Sequence, residues 1–277
     1  MDPGPPRGVP KRLGATTVEA SPDPARPPKV AVALPCYNEA AAVGRVVDDF
    51  RAHLPGAEVF VFDNASDDGT EAIAAARGAR VVPVPDRGKG FAVRAAFDAL
   101  EDYDVVLMAD GDGTYPAEEA PRMIAPILEG RAETVVGSRR PVDGARAMAP
   151  VRALGNVLIR GAFLAFIGPG AGDLLSGYRA FSRRFLREVR LRSEGFEVET
   201  ELAVATAAGG LAAAEVEVPY RPRIEGTESK LRAFRDGRRI LATIVREGFR
   251  LRPLRASAIV AAAAAGPAAL AYLALAG

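Results

Sequence analysis

Asp110 and Asp112 stand one residue apart in VLMADGDGTYP, residues 106–116, just past a short apolar run. Two carboxylates so spaced at a strand exit can project the same way. They offer hard oxygen ligands, which suits magnesium or manganese bridging the oxygens of a diphosphate. An ordinary Asp-Gly turn meets the same pattern without any metal. An EF-hand calcium loop does not: counted from Asp110, position six is Tyr115 rather than Gly, and position twelve is Pro121 rather than Glu.

Two further polar clusters keep company with this pair. DNASDDGT, residues 63–70, ends another apolar run and offers Asp63 and Asn64 to a nucleobase or ribose, while Ser66 and Asp67 are placed to cap the following helix. DRGKG, residues 86–90, sets Lys89 between two glycines before a helix, a layout that meets a phosphate through backbone N–H groups and an ammonium. A plain helix-start turn explains the glycines equally well. Neither the full G-x-x-x-x-G-K-[ST] loop nor a G-x-G-x-x-G fingerprint occurs, which counts against a P-loop NTPase and a dinucleotide oxidoreductase.

Composition removes other chemistries. One cysteine, Cys36, cannot form an intrachain disulfide, and with the single His53 it cannot furnish a zinc site, so a reducing compartment is expected. His53 sits at the predicted end of a polar-faced helix, where it suits the helix dipole better than it suits a catalytic base. Lys and Arg total 36 against 35 Asp and Glu, and the net charge of +1 argues against a nucleic-acid binder working through bulk charge.

The elements that must position these residues alternate. From Lys29 onward, KVAVALP, AEVFVFDNA, RVVPVP, DVVLMAD and ETVVGSR read as strands. EAAAVGRVVDDFRAHL, DGTEAIAAARGA, GKGFAVRAAFDALE and AEEAPRMIAPILEG read as the helices between them. This is a βαβ series with a largely parallel sheet, which binds ligands beyond the carboxyl ends of its strands. PCYNE at 35–39, DNASDDGT and DGDGTYP all fall at such ends and should converge.

The two termini differ from this core and from each other. Residues 1–28 carry eight prolines and no apolar signal segment, and read as a disordered tail. Residues 256–277 run 22 positions without a charge, enough at about 1.5 Å per residue to approach a bilayer core of about 30 Å. Arg246, Arg250, Arg252 and Arg255 flank this run, as the positive-inside rule expects of a cytoplasmic face. A membrane-spanning or membrane-anchoring helix is expected there, although its alanine content also allows a buried or peripheral hairpin. Residues 151–170 are amphipathic to strongly apolar and read either as a helix lying on a membrane or as a core helix.

With PCYNE, DNASDDGT, DGDGTYP, GSR, DLLSGYRAF and GTESKL in this order, the chain resembles the family 2 glycosyltransferases, especially the polyprenyl-phosphate (dolichyl-phosphate-type) hexose synthases. The resemblance covers about residues 29–250. It implies the GT-A fold, an α/β Rossmann-like sheet with helices on both faces. The expected organisation is a tail at 1–28, a transferase domain at 29–230, amphipathic basic juxtamembrane helices at 231–255 and the membrane segment at 256–277.

The resemblance also implies roles. Pro35, Tyr37 and Glu39 look like the first nucleotide contacts, with Phe62, Asp63 and Asn64 beside the base. Asp110 and Asp112 resemble the metal-binding D-x-D pair, with Gly111 between them; Lys89, read from the spacing of DRGKG, joins them as a donor-phosphate candidate. Many relatives carry a second acid where this chain has Asn64, and some have Gln where it has Thr114. Arg139 matches a donor-side arginine. Asp173, Ser176 and Arg179 match the D-x-x-S-G-[FY]-R loop that closes over donor and acceptor, and Arg221, Arg223, Ser229 and Lys230 match a flexible segment that holds the acceptor phosphate and the leaving diphosphate. A turn with a salt bridge and a solvated basic loop are the plainer readings of those last two stretches.

The implied reaction is inverting transfer of a hexose from a nucleotide-diphosphate sugar, UDP-glucose or GDP-mannose, to a polyprenyl phosphate. It implies a divalent metal, magnesium or manganese, contact with membrane lipid at the cytoplasmic face, and no nucleic-acid partner. A processive polysaccharide synthase is a rival, against which stands the lack of any Trp for a Q-x-x-R-W motif. Another is a membrane-tethered protein that binds nucleotide sugar without turnover.

Overall fold

The computed structural model describes residues 26–142, 150–170, 172–227, 230 and 233–276. Of the tail expected at 1–28, residues 1–25 lie outside that set.

Alternating apolar segments form the strands β1 (Val30–Cys36), β2 (Glu58–Asp63), β3 (Arg80–Pro83) and β4 (Val105–Met108). Each is followed by a helix: α1 (Val43–His53), α2 (Thr70–Ala76), α3 (Lys89–Ala99) and α4 (Ala120–Leu128). The remaining elements are β5 (Thr134–Pro141), α5 (Pro150–Phe166), β6 (Arg179–Ser182), α6 (Arg183–Glu188), α7 (Val198–Gly209), β7 (Ala213–Tyr220), α8 (Ala233–Leu251) and α9 (Pro253–Ala276).

The seven strands pair in the order β3-β2-β1-β4-β6-β5-β7. All pairings are parallel except those of β6, which runs antiparallel to both β4 and β5. The sheet is therefore mostly parallel, as expected, and β6 is the departure: its four residues are too few to give a periodic signal.

Strand alternation sorts the core into two layers. Val32 and Leu34 of β1, Val59 and Val61 of β2, and Val105 and Leu107 of β4 pack with α1 and α4 on one face. Ala31, Ala33, Phe60, Phe62, Val106 and Met108 pack with α3, α6 and α7 on the other. Burying both faces fixes the register, since a one-residue slip would exchange the two sets. The carboxyl ends of β1, β2 and β4 then lie side by side, Cys36 opposite Asp63 and Ala33 opposite Met108.

A third cluster joins α5, α7, α8 and α9 through Ile159, Phe163, Phe166, Val204, Ile240, Ile244 and Ala256. The 151–170 stretch thus has a core face, while Val157, Leu158 and Leu164 of the same helix stay exposed. Residues 256–276 of the expected span at 256–277 fall within α9, and here the expectation is corrected. Among the described residues no helix is long and apolar enough to cross a membrane. The run is largely alanine, which lipid favours only weakly.

Candidate active site

Beyond β4 the chain turns through Asp110–Gly111–Asp112. Asp112 is 2% exposed. Its Oδ1 accepts hydrogen bonds from the Thr114 N–H at 3.0 Å and the Thr114 hydroxyl at 2.7 Å, and its Oδ2 lies 2.7 Å from the Arg223 guanidinium. Burial, and next the charge of Asp110, push the Asp112 carboxyl up from its ordinary range, against the pull of Arg223 and Thr114. Gly111 is required by space: a Cβ there would sit 2.3 Å from Cys36 Sγ. Gly177 is tight in the same way, since its Cβ would lie 2.8 Å from both carboxylate oxygens of Asp110.

Lys89 Nζ donates to Asp110 Oδ1 at 2.5 Å and also lies 2.6 Å from Oε1 of Glu199 on α7. Burial alone would favour the neutral amine, but Asp110 and Glu199 outweigh it and hold Lys89 charged, well above the ordinary lysine range. Glu199 is the residue that reading the sequence missed. It lies 110 positions from Lys89, in an acidic helix start that looks like a solvated face. The glycines around Lys89 serve packing: a Cβ at Gly88 would lie 2.2 Å from Glu194 O, and one at Gly90 2.1 Å from Ser193 O. They let the 193–195 segment approach α3 closely enough for Glu199 to reach the ammonium.

The other strand ends converge as expected. Burial raises the Cys36 thiol, and the carboxylates of Glu39, Asp63, Asp110 and Asp112 each add to that shift, which places all four acids in one electrostatic neighbourhood. Glu39 is 7% exposed, and burial followed by Asp112 pushes it up to about 7, although Lys230 and Arg223 pull the other way. Asn64 ties down the Lys89 loop, donating from Nδ2 to Asp86 O at 2.5 Å and accepting at Oδ1 from the Gly88 N–H at 2.6 Å.

Two expectations change here. Ser66 and Asp67 do not cap α2. Ser66 Oγ accepts from the Asn38 N–H and Asp67 Oδ1 from Asn38 Nδ2, bracing the β1 and β2 loops, while Asp68 Oδ1 accepts from the Thr70 N–H and hydroxyl. Phe62 is fully buried in the α3 layer beside Phe60, so its ring is turned from the base position expected of it. Strand alternation is the reason: Asp63 and Phe62 must face opposite ways. Pro35 and Tyr37 lie at the β1 exit, with the Arg87 guanidinium 5.1 Å from the Tyr37 ring centre.

On the far side, Arg139 meets Asp173 in a two-pronged pair, Nε to Oδ2 at 2.5 Å and a terminal nitrogen to Oδ1 at 2.8 Å. Burial would raise Asp173, but the Arg139 bonds and charge prevail and hold its carboxyl below the usual range. Ser176 Oγ donates to Gly137 O, and Gly177 N–H donates to the Tyr115 hydroxyl, so the 173–178 loop is pinned across the sheet. Arg179 is 1% exposed and donates to the carbonyls of Ser176 and Leu174. It fastens the loop from beneath. Arg221 pairs with Glu118, and Lys230 donates to Asn38 O at 3.3 Å, whereas Ser229 lies outside the described residues.

Among the described residues no group of three His, Cys, Asp or Glu side chains is arranged to hold a metal. The donor set nevertheless fits a hard divalent cation: two adjacent carboxylates, one of them buried, already attract a cation each, Lys89 at Asp110 and Arg223 at Asp112. A cation such as magnesium binds through one or two carboxylates and completes its shell with water and phosphate oxygens.

The sequence profile described as "Glycosyl transferase family 2" matches residues 31–190, which hold β1 through α6 and both aspartates. The chain belongs to glycosyl transferase family 2. Glycosyltransferase AglJ of Haloferax volcanii is 39% identical over 228 residues, covering 82% of this chain and 75% of that protein. The dolichyl-phosphate hexose transferase of the same organism is 35% identical over 217 residues, 78% of this chain and 92% of the relative. Among solved structures, glucosyl-3-phosphoglycerate synthase from Mycobacterium tuberculosis in complex with Mn2+ and uridine-diphosphate-glucose superposes with a TM-score of 0.64 at 26% identity, covering 79% of each chain. This family 2 transferase shares its α/β GT-A-like fold with that enzyme.

Proposed function

We propose that the protein transfers a hexose from a nucleotide-diphosphate sugar to a polyprenyl phosphate, with inversion at the anomeric carbon. The observation that carries this is the Asp110–Asp112 pair at the β4 exit, ringed by Lys89, Arg223 and the Glu39–Lys230 neighbourhood. A relative named for dolichyl-phosphate hexose transfer and a structural neighbour holding Mn2+ with UDP-glucose support the acceptor and donor classes.

The acceptor needs little activation. A phosphate monoester with a second pKa of about 6 is already an anionic nucleophile at neutral pH, so the lack of a histidine base is no obstacle. The difficulty lies in the departing diphosphate. Asp110 and Asp112 would hold magnesium or manganese, which supplies Lewis-acid neutralisation of that charge when bound. Arg223 and Lys230 bring fixed positive charge to the same side, preorganised for the oxyanion that develops. Arg139, clamped by Asp173, presents a guanidinium of set orientation to the donor. Glu39, Asp63 and Asn64 line the nucleotide end, with Pro35 and Tyr37 above them. Glucose from a uridine donor and mannose from a guanosine donor both satisfy this arrangement.

The acceptor also gives the outer helices a purpose. Val157, Leu158 and Leu164 on α5, Phe234 and Phe249 on α8, and Leu254 and Val260 on α9 are exposed, and Arg250, Arg252 and Arg255 lie among them. Apolar side chains mixed with arginines suit an anionic bilayer surface, so the proposal includes docking on the cytoplasmic face of the membrane. The test is purified protein incubated with a panel of nucleotide sugars, a short polyprenyl phosphate and Mn2+, with products read by mass. Glycolipid that forms only with both lipid phosphate and metal is the expected result. Transfer to phosphoglycerate in place of the lipid, or full synthesis in excess chelator, would overturn the reading.

A further inference from the structure

Glu199 has no part in the motifs that identify the family site, yet it is 3% exposed and its Oε1 lies 2.6 Å from Lys89 Nζ. The same ammonium lies 2.5 Å from Asp110 Oδ1. One cation is therefore divided between an acid of the D-x-D pair and an acid on α7, 110 positions further along the chain than Lys89. We infer that Glu199 is a positioning residue that, by holding Lys89, keeps Asp110 oriented and negative enough to accept a divalent cation.

Charge and reach decide this role. An ammonium bound to Asp110 alone competes directly with a metal for that carboxylate. Shared with Glu199, the same ammonium is drawn toward a second acid and neutralises less of Asp110, whose Oδ1 it still holds in place. The packing enforces the sharing: Gly90 N–H donates to Glu194 O at 2.9 Å, and the glycines on either side of Lys89 admit the segment that leads into α7. Glu199 Oε2 has no hydrogen-bond partner among the described residues, so Lys89 is the contact that justifies burying this acid. Outer contacts of this kind orient metal-binding carboxylates, and losing one typically costs about 10- to 100-fold in metal affinity.

The inference rests on Asp110 and Asp112 holding the metal, and its test is metal binding rather than turnover. Mn2+ is titrated into the full-length protein with UDP and, in parallel, with GDP present, and free aquated Mn2+ is followed by electron paramagnetic resonance, for the parent, Glu199→Gln and Glu199→Asp. Glu199→Gln should weaken Mn2+ binding by at least about 10-fold, and Glu199→Asp, which keeps the charge with a shorter reach, should fall between it and the parent. In a Lys89→Met background the same Glu199→Gln change should cost less than about threefold, because its effect passes through the lysine. Melting temperature separates a merely structural role, which lowers stability and leaves the Mn2+ affinity within twofold of the parent; that outcome overturns the inference. If Glu199→Gln does not fold, a Glu199→Asp protein with parental affinity overturns it equally. A parent that takes up no Mn2+ removes the metal reading itself, whereas a parent and variant that bind alike remove only the role of Glu199.

Discussion

Arg223 lies 2.7 Å from Asp112 Oδ2, so the more buried acid of the pair is held by a guanidinium. Arg223 belongs to the segment between β7 and α8, far along the chain from the turn it closes. A metal entering at Asp112 must share or displace this arginine, which is then available to the diphosphate that arrives with the metal.

Opposite signs follow for the two partners. Asp112→Asn keeps the Thr114 contact but removes the charge, and should lower turnover by about 10² to 10³ while melting within a few degrees of the parent. Arg223→Ala removes a competitor, so Mn2+ should bind more tightly without donor, while turnover still falls by about 10² because the leaving group loses a cation. Calorimetric Mn2+ titration beside steady-state kinetics checks both. Tighter metal binding with undiminished turnover in Arg223→Ala would leave the arginine as a competitor only.

The Arg139–Asp173 pair sets an acid limit on stability. Asp173 has its carboxyl held below the ordinary range in the folded chain. The stabilisation is therefore complete above the unfolded value of about 3.9 and is lost as pH falls through the lower folded value. Asp173→Asn lacks it at every pH. The melting-temperature gap between parent and Asp173→Asn should be constant above about pH 5 and narrow steadily as pH falls below about 4. A gap as wide at pH 3 as at pH 6 would place the energy of this contact elsewhere than in the charge.

Glu39 predicts the reverse slope. Its folded value of about 7 lies above the unfolded value of about 4.3, so folding binds a proton in that window. The contribution is fully present below about pH 4.3 and is lost as pH rises through about 7. Glu39→Gln imitates the protonated form. In metal-free buffer its melting temperature relative to the parent should climb between pH 4.5 and 7.5 and then level off, as differential scanning calorimetry would read. A flat difference would mean that Glu39 is ionised throughout, with Lys230 and Arg223 stronger partners than its burial.

The strand ends were legible because each follows a run whose apolar alternation survives in a sheet covered on both faces. Cys36, Asp63 and Asp110 could be placed at one edge from that alone. What escaped has a physical reason in each case. β6 is four residues long and packs antiparallel between parallel strands, so no period announces it. The family resemblance puts Phe62 beside the base with Asp63 and Asn64, although alternation already sends it to the opposite layer from Asp63. Ser66 and Asp67 carry capping residue types, yet the nearby Asn38 backbone and side chain compete for them and win. Glu199 has no local signal at all: its partner is reached only through the close approach that Gly88 and Gly90 allow. The uncharged run in α9 looks long enough to span, yet among the described residues no helix is long and apolar enough to cross a membrane.

Space at Gly111 offers the sharpest test of how the turn is built. A Cβ at this position would lie 2.3 Å from Cys36 Sγ, so either the thiol or the turn that carries Asp110 and Asp112 must shift. Gly111→Ala should therefore destabilise the protein by about 1 to 3 kcal/mol, the usual range for overpacking a dense interior, and should lower turnover through the displaced acids. Cys36→Ala removes the sulfur and leaves the next contact at 3.6 Å, to Cys36 Cβ, which is ordinary van der Waals distance. Combined, the two substitutions should cost less than their sum, with a coupling of about 1 kcal/mol or more by chemical denaturation and partial recovery of turnover. Simple additivity would mean that the glycine is needed for its backbone rather than for the room it leaves the thiol.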